Sequence, residues 1–107
     1  MNERILPLLR DLRAELERIY GGALRGVYLY GSYARGDADE GSDVDVAVVL
    51  REMGDPWREI ERTSAAASSL SLKHGVSLSL YRVREAEWNA PPASPILRNI
   101  RRDAVVA

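Results

Sequence analysis

Residues 43–50, Asp-Val-Asp-Val-Ala-Val-Val-Leu, constrain this chain more than any other stretch. Valines through its length favour a strand, and side chains along a strand alternate between two faces. Val44, Val46, Val48 and Leu50 then form one wholly apolar face, while Asp43, Asp45, Ala47 and Val49 form the other. The apolar face has to be covered, and amphipathic helices are the natural cover.

Two long helices are written into the flanking sequence. Ile5, Leu8, Leu9, Leu12, Leu16 and Ile19 recur at helical spacing, with Asn2 as the expected cap and Gly21-Gly22 as the stop. Asp55-Pro56 opens a second helix as N-cap and first residue, running to about His74 before Gly75. Strands are predicted over 26–30 and 76–83, a short helix over Ser32–Arg35 ended by Gly36, and a last short helix from Ser94-Pro95 with Ile96, Leu97 and Ile100 facing inward. Residues 37–42 read as a polar loop and 89–93 as a stiff connector. The expected fold class is α/β (α+β): a small three- to four-stranded mixed sheet with helices packed mainly on one face, the other face left open near Gly31 and Asp43.

The 107 residues suit a single domain spanning 1–107. The absence of cysteine excludes disulfides and thiolate metal sites. No apolar run is long enough to span a bilayer and no signal pattern opens the chain, so the expectation is a cytoplasmic protein with no membrane association. A net charge of -1 argues against an extended, non-specific nucleic-acid surface. Arg98, Arg101 and Arg102, and Arg82 with Arg84, read as solvated helix and edge-strand charges.

The chemistry is concentrated between residues 31 and 45. Gly31-Ser32 sits where a strand turns into a short helix. Glycine lets the backbone approach a phosphate, helix N-terminal amides attract anions, and the Ser32 hydroxyl adds a donor. Arg35, one turn on, can add a charge-assisted bond to the same phosphates. Asp43 and Asp45, at i and i+2 of a strand, point to one side about 6–7 Å apart. Two such carboxylates repel each other, and a hard cation such as Mg²⁺ relieves that repulsion. Alone, Gly-Ser is a common turn, Asp-x-Asp a common exposed strand pair, and Arg35 an ordinary surface ion pair. The order strand, Gly-Ser, short helix, Ser42-Asp43-x-Asp45, β-branched strand is what points to nucleotide handling.

These residues resemble the signature of the polymerase-beta-like nucleotidyltransferase superfamily, and most closely its minimal nucleotidyltransferase, MntA-like antitoxin group. Gly31-Ser32, ten further residues, then Asp43-x-Asp45 match the spacing of that signature, and Ala34-Arg35-Gly36 and Ser42 match its commoner form. The resemblance implies transfer of a nucleoside monophosphate, AMP from ATP above all, to a hydroxyl with release of pyrophosphate. It implies that Gly31, Ser32, Arg35 and Ser42 hold the nucleotide and that Asp43 and Asp45 are the catalytic, Mg²⁺-binding acids. It also implies a HEPN-domain toxin as partner, with a toxin tyrosine as acceptor. A chain with no evident acceptor-binding domain favours a protein acceptor over nucleic acid.

One departure stands out. Active members of the superfamily add a third carboxylate from a later strand, but Val76-Ser-Leu-Ser-Leu-Tyr-Arg-Val83 has none. Ser77, Ser79 and Tyr81 share one face by alternation, so Ser77 or Ser79 is expected at the third acid's place. Asp37, Asp39 and Glu40 in the loop are weaker substitutes. This leaves an enzyme with two acids, a nucleotide-binding antitoxin that acts by covering its partner, and a homodimer whose second chain completes the site. His74 reads as structural at a helix C-terminus, Trp57 and Trp88 as packing, and Tyr33 as packed near the turn.

Overall fold

The computed structural model describes residues 3–92 and 94–107. Asn2, the expected cap of the first helix, lies outside them. In chain order the elements are α1 (Leu6–Tyr20), β1 (Leu24–Tyr30), α2 (Gly31–Arg35), β2 (Val44–Leu50), α3 (Pro56–His74), β3 (Leu78–Arg84), α4 (Glu85–Asn89), α5 (Pro95–Asp103) and β4 (Val105–Val106). The four strands form one mixed sheet ordered β3-β2-β1-β4. β1 runs antiparallel to β2 and β4, and β2 parallel to β3. The parallel pair is joined by the long crossover helix α3, as a parallel connection requires.

The apolar face of β2 is the heart of the molecule. Val44, Val46, Val48 and Leu50 are buried with Val27 and Leu29 of β1 beneath Leu8, Leu12, Leu16 and Leu70 of α1 and α3. α3 is capped as its sequence predicts: the Asp55 carboxylate accepts from the Trp57 amide at 3.1 Å, and Gly75 ends the helix in the left-handed conformation. His74 Nε2 lies 2.9 Å from the Asp11 carboxylate and ties α3 to α1, a structural role.

The second face is only partly covered. Val49 and Val83 pack beneath Leu97 of α5, and Tyr28 stacks on Trp88 of α4 with ring centroids 4.8 Å apart. α4 is not evident in the sequence. Several expectations change here. Ile96 is 63% exposed, so only Leu97 and Ile100 of that helix face inward. Trp57 is 67% exposed rather than packed in the core. Arg82 is half-buried, donating to the Thr63 hydroxyl, and is not a solvated edge charge. Val105-Val106 pairs with Leu29 and Tyr28 as β4. Among the described residues, no helix is long and apolar enough to cross a membrane.

Candidate active site

Register brings the candidate residues together. Tyr30 pairs with Asp45 across β1 and β2, and Asp45 pairs with Ser79 across β2 and β3. Paired residues share a face, so Tyr30, Asp45 and Ser79 form one row across the open end of the second face. Tyr28, Ala47 and Tyr81 form the next row inward. The chain leaves β1 at Tyr30 and turns into α2 at Gly31, directly beside Asp45.

Gly31 is required there twice over. Its φ of +73° is in the region L side chains rarely adopt. A Cβ at this position would also collide with the Asp45 carboxylate and come 3.2 Å from its Cγ. α2 ends at Gly36 (φ +85°), with the Gly36 and Asp37 amides both donating to the Ser32 carbonyl at 2.9 and 3.0 Å. Ser32 is half-buried and Tyr33 is buried in the main core, which confirms Tyr33 as packing.

Asp43 lies exposed just before β2, and Asp45 is half-buried within it. Strand pairing holds the base of this pair, because the Val44 amide donates to the Ser77 carbonyl at 2.8 Å. The Asp45 carboxyl is pushed above the usual carboxylate range by burial and then by the Asp43 charge, with Arg35 partly offsetting both. An anion held in that state favours a cation beside it. The donor set, an exposed and a half-buried carboxylate two residues apart, suits a hard divalent ion that would keep several other oxygen ligands. Tyr30 is driven the same way, to about 12, by burial first and then by Asp45 and Tyr81.

Two candidates are engaged with partners that the sequence did not reveal. Arg35 donates from Nη1 to Asp103 at 2.9 Å and from Nε to Asp37 at 3.2 Å. Burial pushes the Asp103 carboxyl up, but hydrogen bonds from Arg35 and Arg102 outweigh it and the net shift is downward. Arg35 thus borders an open cavity of about 280 Å³ between Gly31 and α5. The Ser42 hydroxyl accepts from the Asp39 amide at 3.0 Å and donates to the Asp39 carboxylate at 3.2 Å, so it shapes the loop that delivers Asp43. Ser79 is exposed opposite Asp45, at the third acid's expected place. Among the described residues no group of three or more His, Cys, Asp or Glu side chains converges as a metal site. Asp37 and Asp39 are spent on Arg35 and the loop turn. Asp103 is the residue sequence reasoning missed: its partner is distant in the chain, and no local pattern marks it.

Comparison with known proteins gives the family. Residues 9–89 match the family model described as a nucleotidyltransferase domain. A protein of Methanocaldococcus jannaschii named "Putative protein adenylyltransferase" is 37% identical over 75 residues, covering 70% of this chain and 75% of its own. A crystal structure of a toxin-antitoxin with AMP-PNP superposes with a TM-score of 0.59 at 25% identity, covering 99% of this chain and 72% of that one. A Sulfolobus solfataricus protein described as "a putative nucleotidyltransferase" shares the fold, with a TM-score of 0.60 at 20% identity, covering 99% and 86%. The family model spans the larger part of the chain, with the Gly31–Asp45 corner inside it, and the protein belongs to the nucleotidyltransferase domain family, with the fold of the minimal nucleotidyltransferases.

Proposed function

We propose that this protein transfers AMP from Mg-ATP to a hydroxyl of a partner protein, a tyrosine of a HEPN-domain toxin, and thereby acts as its antitoxin. The observation that carries the reading is the direct approach of Gly31 to the Asp45 carboxylate. It joins a turn suited to phosphate with a pair of acids suited to a cation, so that one triphosphate can engage both. Gly31 and Ser32 receive the phosphates on backbone amides and a hydroxyl, and Arg35 turns from Asp103 and Asp37 toward them. Asp43 and Asp45 would hold Mg²⁺, which would supply neutralisation of the triphosphate charge. Ser42 fixes the loop before Asp43. The name of the Methanocaldococcus relative supports a protein acceptor, and the toxin-antitoxin neighbour with its ATP analogue supports both adenine and an antitoxin role. The same reading takes residues 1–107 as one domain working in the cytoplasm.

The test is transfer of label from α-labelled ATP to the cognate partner. Transfer should require Mg²⁺ and disappear in Asp43→Asn, and labelling unchanged by that substitution would overturn the role of Asp43.

A second reading has its own observation. Ser79, a weak ligand and a poor base, stands opposite Asp45 where a third carboxylate would be. The protein then binds nucleotide but neutralises its partner by covering it. Neutralisation that survives the Asp43→Asn, Asp45→Asn double substitution would decide for this alternative.

A further inference from the structure

The sheet order lays out three stations side by side. β1 ends in the Gly31 turn, β2 carries Asp45 with Asp43 just before its first residue, and β3 carries Ser79 on the far side. Nucleotidyl transfer is an in-line displacement, so the attacking oxygen enters opposite the leaving group. With the β- and γ-phosphates at the Gly31 turn, the leaving group lies on the β1 side. The attacking oxygen must then come from the β3 side.

Ser79 offers an oxygen there. Its backbone is about 4.8 Å from that of Asp45 across the ladder, and their side chains share a face. Ser79 is exposed, and no hydrogen bond of its hydroxyl occurs among the described residues. The Val44–Ser77 hydrogen bond continues the β2–β3 pairing beyond the regular ladder, so the strand that presents Ser79 is fixed. The other hydroxyls on these rows are less suited. Tyr30 lies on the leaving-group side and is half-buried, and Tyr81 lies one row deeper, opposite Ala47.

We propose that Ser79 is itself an AMP acceptor, so that the protein adenylylates its own third strand when no partner hydroxyl is present. This rests on the nucleotidyl-transfer reading above. The Ser79 Oγ forms a bond to the α-phosphorus of ATP, and the bond from that phosphorus to the oxygen bridging to the β-phosphate breaks. Pyrophosphate leaves, the hydroxyl proton passes to solvent, and nothing is oxidised or reduced. The product is a phosphodiester between Ser79 and adenosine, standing on the face a partner's acceptor would need. Self-modification and partner modification therefore exclude each other on one chain.

The experiment uses the full chain alone with Mg²⁺ and either α- or γ-labelled ATP, read by retained label, intact mass and peptide mapping, with Mg-ATP binding measured by calorimetry on the same sample. The expected result is retention of the α-label only, a mass gain of one AMP residue, and its location at Ser79. Ser79→Ala should retain less than about a tenth of the label, and Ser79→Thr, which keeps a hydroxyl, should retain label at residue 79. Thermal melting checks that both variants fold. A wild-type chain that binds Mg-ATP yet stays unlabelled overturns the inference and leaves the transferase reading standing, as does undiminished label in Ser79→Ala. Failure to bind Mg-ATP at all would remove both.

Discussion

The two faces of the sheet are built from the same strands and have opposite characters. On one, Val44, Val46, Val48, Leu50, Val27 and Leu29 are sealed beneath α1 and α3. On the other, a small cluster around Val49, Val83 and Leu97 covers the far end, and the near end carries Tyr30, Asp45 and Ser79. β2 contributes to both faces residue by residue, so every side chain on the open face is positioned by a neighbour locked into the closed one. Rigidity is generated where nothing reacts and used where water and ligand have access.

That contrast can be tested from both sides. The largest expected effect lies on the closed face. Leu29→Ala, at a fully buried position, should cost about 2–5 kcal/mol in chemical denaturation. Nucleotide affinity, measured where the variant is folded, should change little. A cost below about 1 kcal/mol would mean that this face is not the source of stability. Next comes the seam between the faces. Gly31→Ala forces a side chain into a positive-φ position and against Asp45, at a cost of about 1–3 kcal/mol. It should also abolish Mg-ATP binding by calorimetry, and retention of wild-type affinity would break the link between the turn and the acids.

The open face should behave in the opposite sense. Burial and Asp43 raise the Asp45 carboxyl, so the folded chain binds that proton more tightly than the unfolded chain. The strain is present at neutral pH and is relieved as pH falls through the raised pKa, the relief being complete below the unfolded value of about 3.9. Asp45→Asn should therefore leave the metal-free fold slightly more stable at pH 7, with the advantage shrinking as pH falls. A lowered melting temperature at pH 7 would show that Asp45 supports the fold rather than strains it. The smallest effect is spectroscopic. Tyr30, pushed up to about 12, should ionise late in an ultraviolet titration, and Tyr30→Phe should reduce that late component, which Tyr20, also raised by burial, shares. The neutral phenol carries no penalty below about pH 10, and its ionisation destabilises the fold progressively as pH rises from there through about 12.

What could be read from the sequence followed the range of the forces involved. The two long helices, β2 and the Gly31 turn rest on local periodicity, capping and β-branching, and they stand where those signals put them. α4, five residues with no apolar period, and β4, two residues paired with β1, rest on contacts between distant parts of the chain. The same holds in the site. Alternation singled out Asp45 and Ser79 within their own strands and the register sets them on one face, but the Arg35–Asp103 pair joins residues 68 apart. The exposure of Trp57 and Ile96 and the burial of Arg82 are likewise decided by which surfaces meet. Hydrophobicity alone does not specify that.

The central claim is that the Gly31 turn and the Asp43–Asp45 pair act as one site for a metal-bound nucleotide. Calorimetric titration of ATP into the wild-type chain and into Asp43→Asn, with and without Mg²⁺, tests it most directly. The account predicts binding that needs Mg²⁺ and is weakened at least about tenfold by Asp43→Asn, the loss of one charge-assisted ligand. Binding that is indifferent to both Mg²⁺ and the substitution, or no binding under any condition, would contradict it.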